Sequence, residues 1–271
     1  WWREGYNDMK ATFIGGGTMA EAIIKRLVAE GVVLCDDIAV VDPSDARREL
    51  LLERYGVSVS ETPEGCLTGA DVIVLAVKPQ EMEKAAAQVG ALEQGQLLLS
   101  ILAGVRTDRI VSSFNHRLVV RAMPNTPAQI GSGMTVWTAA PEASEEQLAM
   151  VRTILAALGT EQFVPEEKYV DMATALSGSG PAYVFLFIEA LVDGAVRIGM
   201  PRPMAEKLAV QTVLGSAEFL EQSGEHPAEL RNRVTSPGGT TAAALHELEK
   251  GSLRSLLADA IASAYAKAKN L

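Results

Sequence analysis

The hydrophobic positions of this chain fall into two regimes. From Ala11 to about Thr138, short and nearly continuous apolar runs alternate with amphipathic stretches. Ala11–Gly15 (ATFIG), Ile38–Asp42 (IAVVD), Val72–Val77 (VIVLAV), Gln96–Leu102, Leu118–Met123 and Met134–Thr138 are predicted as six strands. Runs this short and this uniformly apolar suit strands buried on both faces. After the first of them, Met19, Ile23, Ile24, Leu27 and Val28 recur at helical spacing, with Gly31 as the stop. Arg47–Tyr55 reads as the next helix. Lys78-Pro79 and Pro124 end the third and fifth strands, because proline cannot donate to a central ladder. Strand–helix alternation predicts a parallel, doubly wound sheet, an α/β domain of Rossmann type over residues 1–164.

Beyond Pro165 the pattern becomes helical, with no convincing strand. Pro181–Gly199, Arg202–Gln222, Ala242–Lys250 and Leu253–Lys269 are the expected helices. In the first of these Val184, Phe185, Phe187, Ile188, Leu191 and Val192 leave almost no polar face. Such a helix has to be buried on all sides, which a segment of this length cannot readily do alone. Residues 165–271 are therefore expected to form an all-α dimerisation domain. The longest apolar stretch, Ala182–Ile188, stops at Glu189 and is short for a bilayer, so a soluble protein with no membrane partner is expected.

Composition narrows the classes further. A chain of 271 residues with 48% hydrophobic positions can bury the cores of two domains. Lys and Arg number 24 against 34 Asp and Glu, a net charge of −10, which argues against nucleic acid or an anionic surface as partner. Cys35 and Cys66 read as reduced thiols of a cytoplasmic protein. His116, His226 and His246 are scattered without ligand spacing, so no metal is expected. The opening WWREGYNDMK carries acids and no apolar core, unlike a secretory signal, and residues 1–8 read as an extension before Met9.

The chemistry concentrates at two glycine-bearing segments. Gly15-Gly16-Gly17-Thr18-Met19-Ala20 matches G-x-G-x-x-G/A between a strand and a helix. The first glycine permits the tight turn, the second lets a pyrophosphate approach the backbone, and the small third residue lets helix and strand pack. Unpaired N–H groups and the dipole at the helix start favour the phosphates. Asp42 lies at the end of strand two, where an acid accepts from the ribose 2′-hydroxyl of NADH and repels a 2′-phosphate. Ser44, Arg47 and Arg48 follow and suit the 2′-phosphate of NADPH instead, so both cofactors stay open. Ala76-Val77-Lys78-Pro79, Ile101-Leu102-Ala103-Gly104 and Met123-Pro124-Asn125-Thr126-Pro127 end neighbouring strands and would share the cofactor groove.

The second segment is Ser236-Pro237-Gly238-Gly239-Thr240-Thr241, just before a helix. The double glycine lets the backbone approach a ligand, and the new helix offers N–H groups to a carboxylate. A plain cap would need one hydroxyl, and here Ser236, Thr240 and Thr241 supply three.

Val234–Glu249 (VTSPGGTTAAALHELE) resembles the signature segment of the pyrroline-5-carboxylate reductases. Leu176–Tyr183 (LSGSGPAY), Phe13–Gly15, Ala76–Pro79 and Arg121–Pro127 are similar to the same family in the same order, so the resemblance runs from about Met9 to the C-terminus. It implies reduction of L-1-pyrroline-5-carboxylate to L-proline by NADPH or NADH, the last step of proline biosynthesis. It also implies a Rossmann domain, a helical domain that pairs two copies with the active site at the dimer interface, and dimers that assemble as a ring of five. Carried over residue by residue, Thr241 would hydrogen-bond the ring nitrogen as the catalytic position. Ser236, Gly238, Gly239 and Thr240 would hold the carboxylate, and Glu166 would lie near the substrate. Ile14, Gly15, Gly16, Gly17, Thr18, Met19, Asp42, Ala76, Val77, Lys78, Pro79, Ile101, Leu102, Ala103 and Asn125 would bind the cofactor. Pro63, Asp42-Pro43-Ser44 and Arg233 depart from the family pattern.

Two other readings compete. A β-hydroxy acid dehydrogenase or related imine reductase would carry a catalytic lysine in the first long helix of the second domain, and Pro181–Gly199 contains none. A non-catalytic, dinucleotide-sensing paralogue would have no use for the carboxylate cradle at 236–241.

Overall fold

A computed structural model describes residues 9–269; the extension read at residues 1–8 lies outside the described residues. The chain forms two compact units, one running to Ser179 and resuming at Ala264, the other Gly180–Ser263.

The first unit is a sheet covered on both faces. In chain order it contains β1 (Ala11–Ile14), α1 (Thr18–Ala29), β2 (Ile38–Val41), α2 (Asp45–Tyr55), β3 (Ser58–Ser60) and β4 (Val72–Leu75). Then come α3 (Met82–Val89), β5 (Leu97–Ser100), α4 (Thr107–Phe114), β6 (Val119–Met123), β7 (Gly133–Ala139), α5 (Glu145–Ala156), β8 (Gly159–Phe163) and α6 (Lys168–Ala173). The strand order is β3-β2-β1-β4-β5-β6-β7-β8. Strands β1 to β6 run parallel, with registers such as Phe13 opposite Val40 and Val74.

The alternation of side chains along each strand divides the apolar runs between two cores. Phe13, Val40, Val74 and Leu99 pack with Ile23, Ile24, Leu51 and Ile154 of α1, α2 and α5. Ile14, Val41, Ile73, Leu75 and Leu98 pack with Met82, Ala86, Ile110 and Phe114 of α3 and α4. Helices on both faces make the sheet doubly wound, as expected. One expectation needs correction: the sixth predicted strand, here β7, runs antiparallel to β6. Residues 124–132 are too few for a crossover helix, so the chain can only turn back. Strand β8 then pairs parallel to β7, reached through α5.

The second unit contains α7 (Gly180–Arg197), α8 (Arg202–Ser223), α9 (Pro227–Arg233), α10 (Thr240–Lys250) and most of α11 (Leu253–Ala268). Its small core is Val192 of α7 against Ala205 and Ala209 of α8, flanked by Ile188, Ala195, Val196 and Met200. Within a single chain the apolar surface of α7 is not buried: Phe185 is 63% and Leu186 67% exposed, and Val192 is the helix's buried residue. The π-turn Thr174–Gly178 joins α6 to α7, so Lys168–Arg197 is one helical run. By length and composition alone that run is long and apolar enough to cross a membrane, although the Ala182–Ile188 stretch within it is short. The compact units divide at Ser179, later than the change of pattern near Pro165, because α6 and the π-turn pack with the sheet.

Candidate active site

The glycine loop sits where the strand order reverses, between β1 and β4, the place where open α/β sheets bind ligands. Gly15 has φ +99°, and its N–H donates to the Val41 carbonyl at 2.8 Å. A Cβ there would come within 2.9 Å of the Ala76 carbonyl carbon and oxygen. Glycine at 15 is thus demanded by the protein itself, because the loop is pressed against the end of β4.

Gly17 differs. It is the N-cap of α1 with φ −66° and ψ −177°, an extended conformation open to any residue. A Cβ on it would meet nothing within 4 Å, and no side chain caps the helix. Neither packing nor strain explains a glycine here, whereas the approach of a bulky anion to the free amides does. The segment accordingly fits a dinucleotide pyrophosphate. Thr18 is exposed and Met19 half-buried beside it, while the Ile14 side chain is turned into the core.

Asp42 directly follows β2. Its Oδ2 accepts the Gly16 N–H at 2.7 Å and its Oδ1 accepts the Ser44 N–H at 2.9 Å. The carboxylate is therefore held beside the glycine loop with a fixed orientation. Arg47 donates from Nε to the Gly16 carbonyl at 2.8 Å and from Nη2 to Glu21 at 2.8 Å. Arg48 donates to the Asp42 carbonyl at 2.6 Å and pairs with Asp45. Glu21 also accepts from Arg54 at 2.9 Å and from the Tyr55 hydroxyl at 3.1 Å. Burial raises the pKa of Glu21, and the bonds from Arg47, Tyr55 and Arg54 outweigh it, leaving the carboxyl below its ordinary value. Burial and the Glu21 charge together raise that of Tyr55. Sequence reading passed over Glu21; its signal was an acid in the first turn of the helix that the glycine loop opens.

The remaining cofactor candidates are brought to the same edge with different exposures. Ala76, Val77 and Pro79 are half-buried and Lys78 is exposed. Ile101 and Ala103 are half-buried, but the Leu102 side chain is in the core. Asn125 is bound at both ends of its amide: Nδ2 donates to the Ser177 carbonyl at 3.0 Å, and Oδ1 accepts the Met134 N–H at 2.9 Å. It ties the turn after β6 to the π-turn and to the start of β7, a scaffolding task.

Glu166 is exposed and pairs with Lys168 at 2.6 Å. That bond raises the Lys168 pKa above its ordinary value. The inward-facing acid is its neighbour Glu167, which accepts the Thr107 N–H at 2.7 Å and Arg121 at 2.9 Å. Arg121 is 1% exposed, reaches Asp171 at 2.5 Å, and has a buried Nε without a partner in the structure.

In the helical unit, Gly239 is the N-cap of α10 with no side-chain cap bond, and Gly238 has φ +70°. The hydroxyls of Ser236, Thr240 and Thr241 therefore do not serve as the cap of that helix. Gly239 N–H closes a turn on the Ser236 carbonyl at 3.0 Å, and a Cβ at 239 would collide with Ser236 Oγ. Thr240 and Thr241 form the first turn of α10, and Thr241 is half-buried. Nearby, Arg233 is held by Glu225 through two bonds of 2.7 and 2.5 Å. Among the described residues no cluster of His, Cys, Asp and Glu could hold a metal ion.

Known proteins match this chain along almost its whole length. Residues 167–271 match the family model described as pyrroline-5-carboxylate reductase dimerisation, and residues 10–104 match that of NADP oxidoreductase, coenzyme F420-dependent. The pyrroline-5-carboxylate reductase of Synechocystis sp. is 46% identical over 258 residues, covering 95% of this chain and 96% of the relative. The solved structure of such a reductase from Coxiella burnetii superposes with a TM-score of 0.89 at 36% identity, covering 97% of this chain and 98% of that one. That of Plasmodium falciparum pyrroline carboxylate reductase with NADP bound gives a TM-score of 0.90 at 29% identity, covering 98% and 99%. Identity at this level along almost the whole of both sequences carries one conclusion: this chain belongs to the pyrroline-5-carboxylate reductase family.

Proposed function

We propose that this protein reduces L-1-pyrroline-5-carboxylate to L-proline, the last step of proline biosynthesis, using NADPH or NADH. The observation that carries the reading is the start of α10 in a chain of this family: an uncapped helix N-terminus flanked by three hydroxyls. A helix start of that kind suits an anionic carboxylate.

The chemistry asks for little acid–base work. When bound, the reduced nicotinamide supplies a hydride to the carbon of an imine whose nitrogen has already taken a proton from solvent, so the ring nitrogen ends as a neutral amine. The protein has to hold donor and acceptor carbons within about 3–3.5 Å of each other, a positioning task. In this reading the amides of Gly238 and Thr240, with the hydroxyls of Ser236 and Thr240, hold the substrate carboxylate, while the Gly239 N–H keeps the turn closed on the Ser236 carbonyl. Thr241 Oγ1 orients the ring nitrogen and steadies it as its positive charge is lost. On the sheet unit, the amides of Gly17–Met19 take the pyrophosphate, Gly15 and Gly16 shape the turn that lets it approach, and Ala76–Pro79 and Ile101–Ala103 flank the dinucleotide. Asn125 supports that groove through the backbone it ties.

The same reading extends to assembly: the helical unit pairs two copies, and dimers close into a ring of five in the cytoplasm. The match of residues 167–271 to a dimerisation family and the exposed apolar faces of α7 and α8 support the pairing. Family resemblance supports the ring, and the unpaired Cys35 and Cys66 support the compartment. The net charge of −10 argues against nucleic acid or an anionic membrane as partner.

The test follows the absorbance of NADH and NADPH with racemic pyrroline-5-carboxylate, for the parent and Thr241→Ala. Oxidation of at least one cofactor is expected, with kcat/KM about 10- to 100-fold lower in the variant, the size of one lost hydrogen bond to a charged group. No oxidation of either cofactor overturns the activity, and unchanged kinetics in Thr241→Ala removes that residue from its role.

A further inference from the structure

The ribose end of the glycine loop is occupied by a closed set of charges. Asp42 uses one acceptor direction on each carboxylate oxygen for the Gly16 and Ser44 amides, at 2.7 and 2.9 Å. A carboxylate offers about four such directions, so it can still accept from a donor brought beside the loop. A ribose with a free 2′-hydroxyl is such a donor. A 2′-phosphate carries only acceptors and roughly −1.5 to −2 charges, and Asp42 can only repel it.

The nearby cations do not offset that repulsion. Arg47 is spread between the Gly16 carbonyl and Glu21, and Arg48 between the Asp42 carbonyl and Asp45. Glu21 is itself fixed by Arg54 and Tyr55, at 2.9 and 3.1 Å, and is mostly buried at 17% side-chain exposure. To grip a phosphate, Arg47 would have to leave a charge-assisted bond to an acid that is locked in place.

We propose that this chain selects NADH over NADPH, with Asp42 reading the free 2′-hydroxyl and Glu21 acting as a positioning residue that keeps Arg47 on the glycine loop. The selection rests on the reading that this loop binds a nicotinamide dinucleotide. It assigns cofactor choice to four side chains from two helices and one strand end, not to Asp42 alone.

The experiment is equilibrium titration of NADH and NADPH onto the full chain without imino acid, followed by dinucleotide fluorescence. The NADH Kd is expected to be at least tenfold below that of NADPH. Asp42→Ser should reduce this ratio at least tenfold, chiefly by tightening NADPH. Glu21→Gln should tighten NADPH several-fold while NADH stays within about twofold, a selective change that general loosening of the fold would not produce. Equal Kd values for the parent, or tighter NADPH, overturn the proposal and leave the reductase activity standing. A Glu21→Gln variant that shifts both cofactors alike removes Glu21 from the selection. If neither dinucleotide binds, the proposal falls with the reading it rests on. Should Asp42→Ser fail to fold, the parental ratio and Glu21→Gln still decide.

Discussion

Gly15 and Gly17 are two residues apart, and the structure separates what each is for. Replacing Gly15 by alanine puts a Cβ on a residue at φ +99° and within 2.9 Å of the Ala76 carbonyl and 3.0 Å of the Val77 nitrogen. Neither neighbour yields easily, since the Ala76 N–H is bonded to the Ile14 carbonyl at 2.9 Å. Backbone strain costs about 1–3 kcal/mol, and overpacking a tight contact costs about 1–3 kcal/mol more. A loss near 3 kcal/mol lowers Tm by roughly 6–12 °C for a protein of this size class. Gly17→Ala meets no atom within 4 Å and needs no unusual dihedral, so its Tm should stay within about 2 °C of the parent. Its cost appears in binding instead: the methyl group stands where the pyrophosphate approaches, and the NADH Kd should rise at least about tenfold, or 1.4 kcal/mol. Thermal unfolding followed by circular dichroism, with dinucleotide titration on the same preparations, checks both. Parental affinity in Gly17→Ala would refute the assignment of that glycine to the ligand. A comparable drop in Tm for both variants would refute the separation.

Two further outcomes follow from charges inside the sheet unit. Arg121→Met leaves Glu167 and Asp171 without their buried cation, which should cost about 3–5 kcal/mol, visible as a fall of roughly 6–20 °C in Tm; adding Glu167→Gln and Asp171→Asn should recover much of it, and a single variant that melts with the parent would sink the argument. The folded pKa of Glu21 lies below its ordinary 4.5, because the bonds from Arg47, Tyr55 and Arg54 outweigh the effect of burial. Its stabilisation is therefore fully present above about pH 4.5 and lost as pH falls through the depressed folded value; Tm of the parent should fall more steeply than that of Glu21→Gln below that pH, and parallel curves would contradict it.

The doubly wound plan was legible because buried parallel strands write themselves as continuous apolar runs and their helices as 3.6-residue periods. What escaped notice has the opposite character. Strand β3 is three residues of Ser-Val-Ser at the sheet edge, and β8, Gly-Thr-Glu-Gln-Phe, is half polar, with Phe163 packed edge-on to Trp137 at 4.9 Å. Edge strands are kept short and polar because a long apolar edge would pair with another chain, so their composition resembles a loop. The antiparallel turn of β7 depends on how few residues separate it from β6, which an apolar run does not encode.

At the site, the sequence by itself determined the residue types: a glycine loop opening a helix, an acid ending β2, and a hydroxyl-rich double glycine before α10. These are local features whose chemistry depends on a few consecutive residues. Tertiary structure alone decided their partners. It tied Arg47 to the Gly16 carbonyl and Glu21 and Arg48 to the Asp42 carbonyl, turned Glu167 rather than Glu166 onto Arg121, and bound both ends of Asn125 to backbone. Each decision joins groups distant in sequence, and which bond forms depends on burial and direction in space. Neither quantity can be read from the order of residues along the chain.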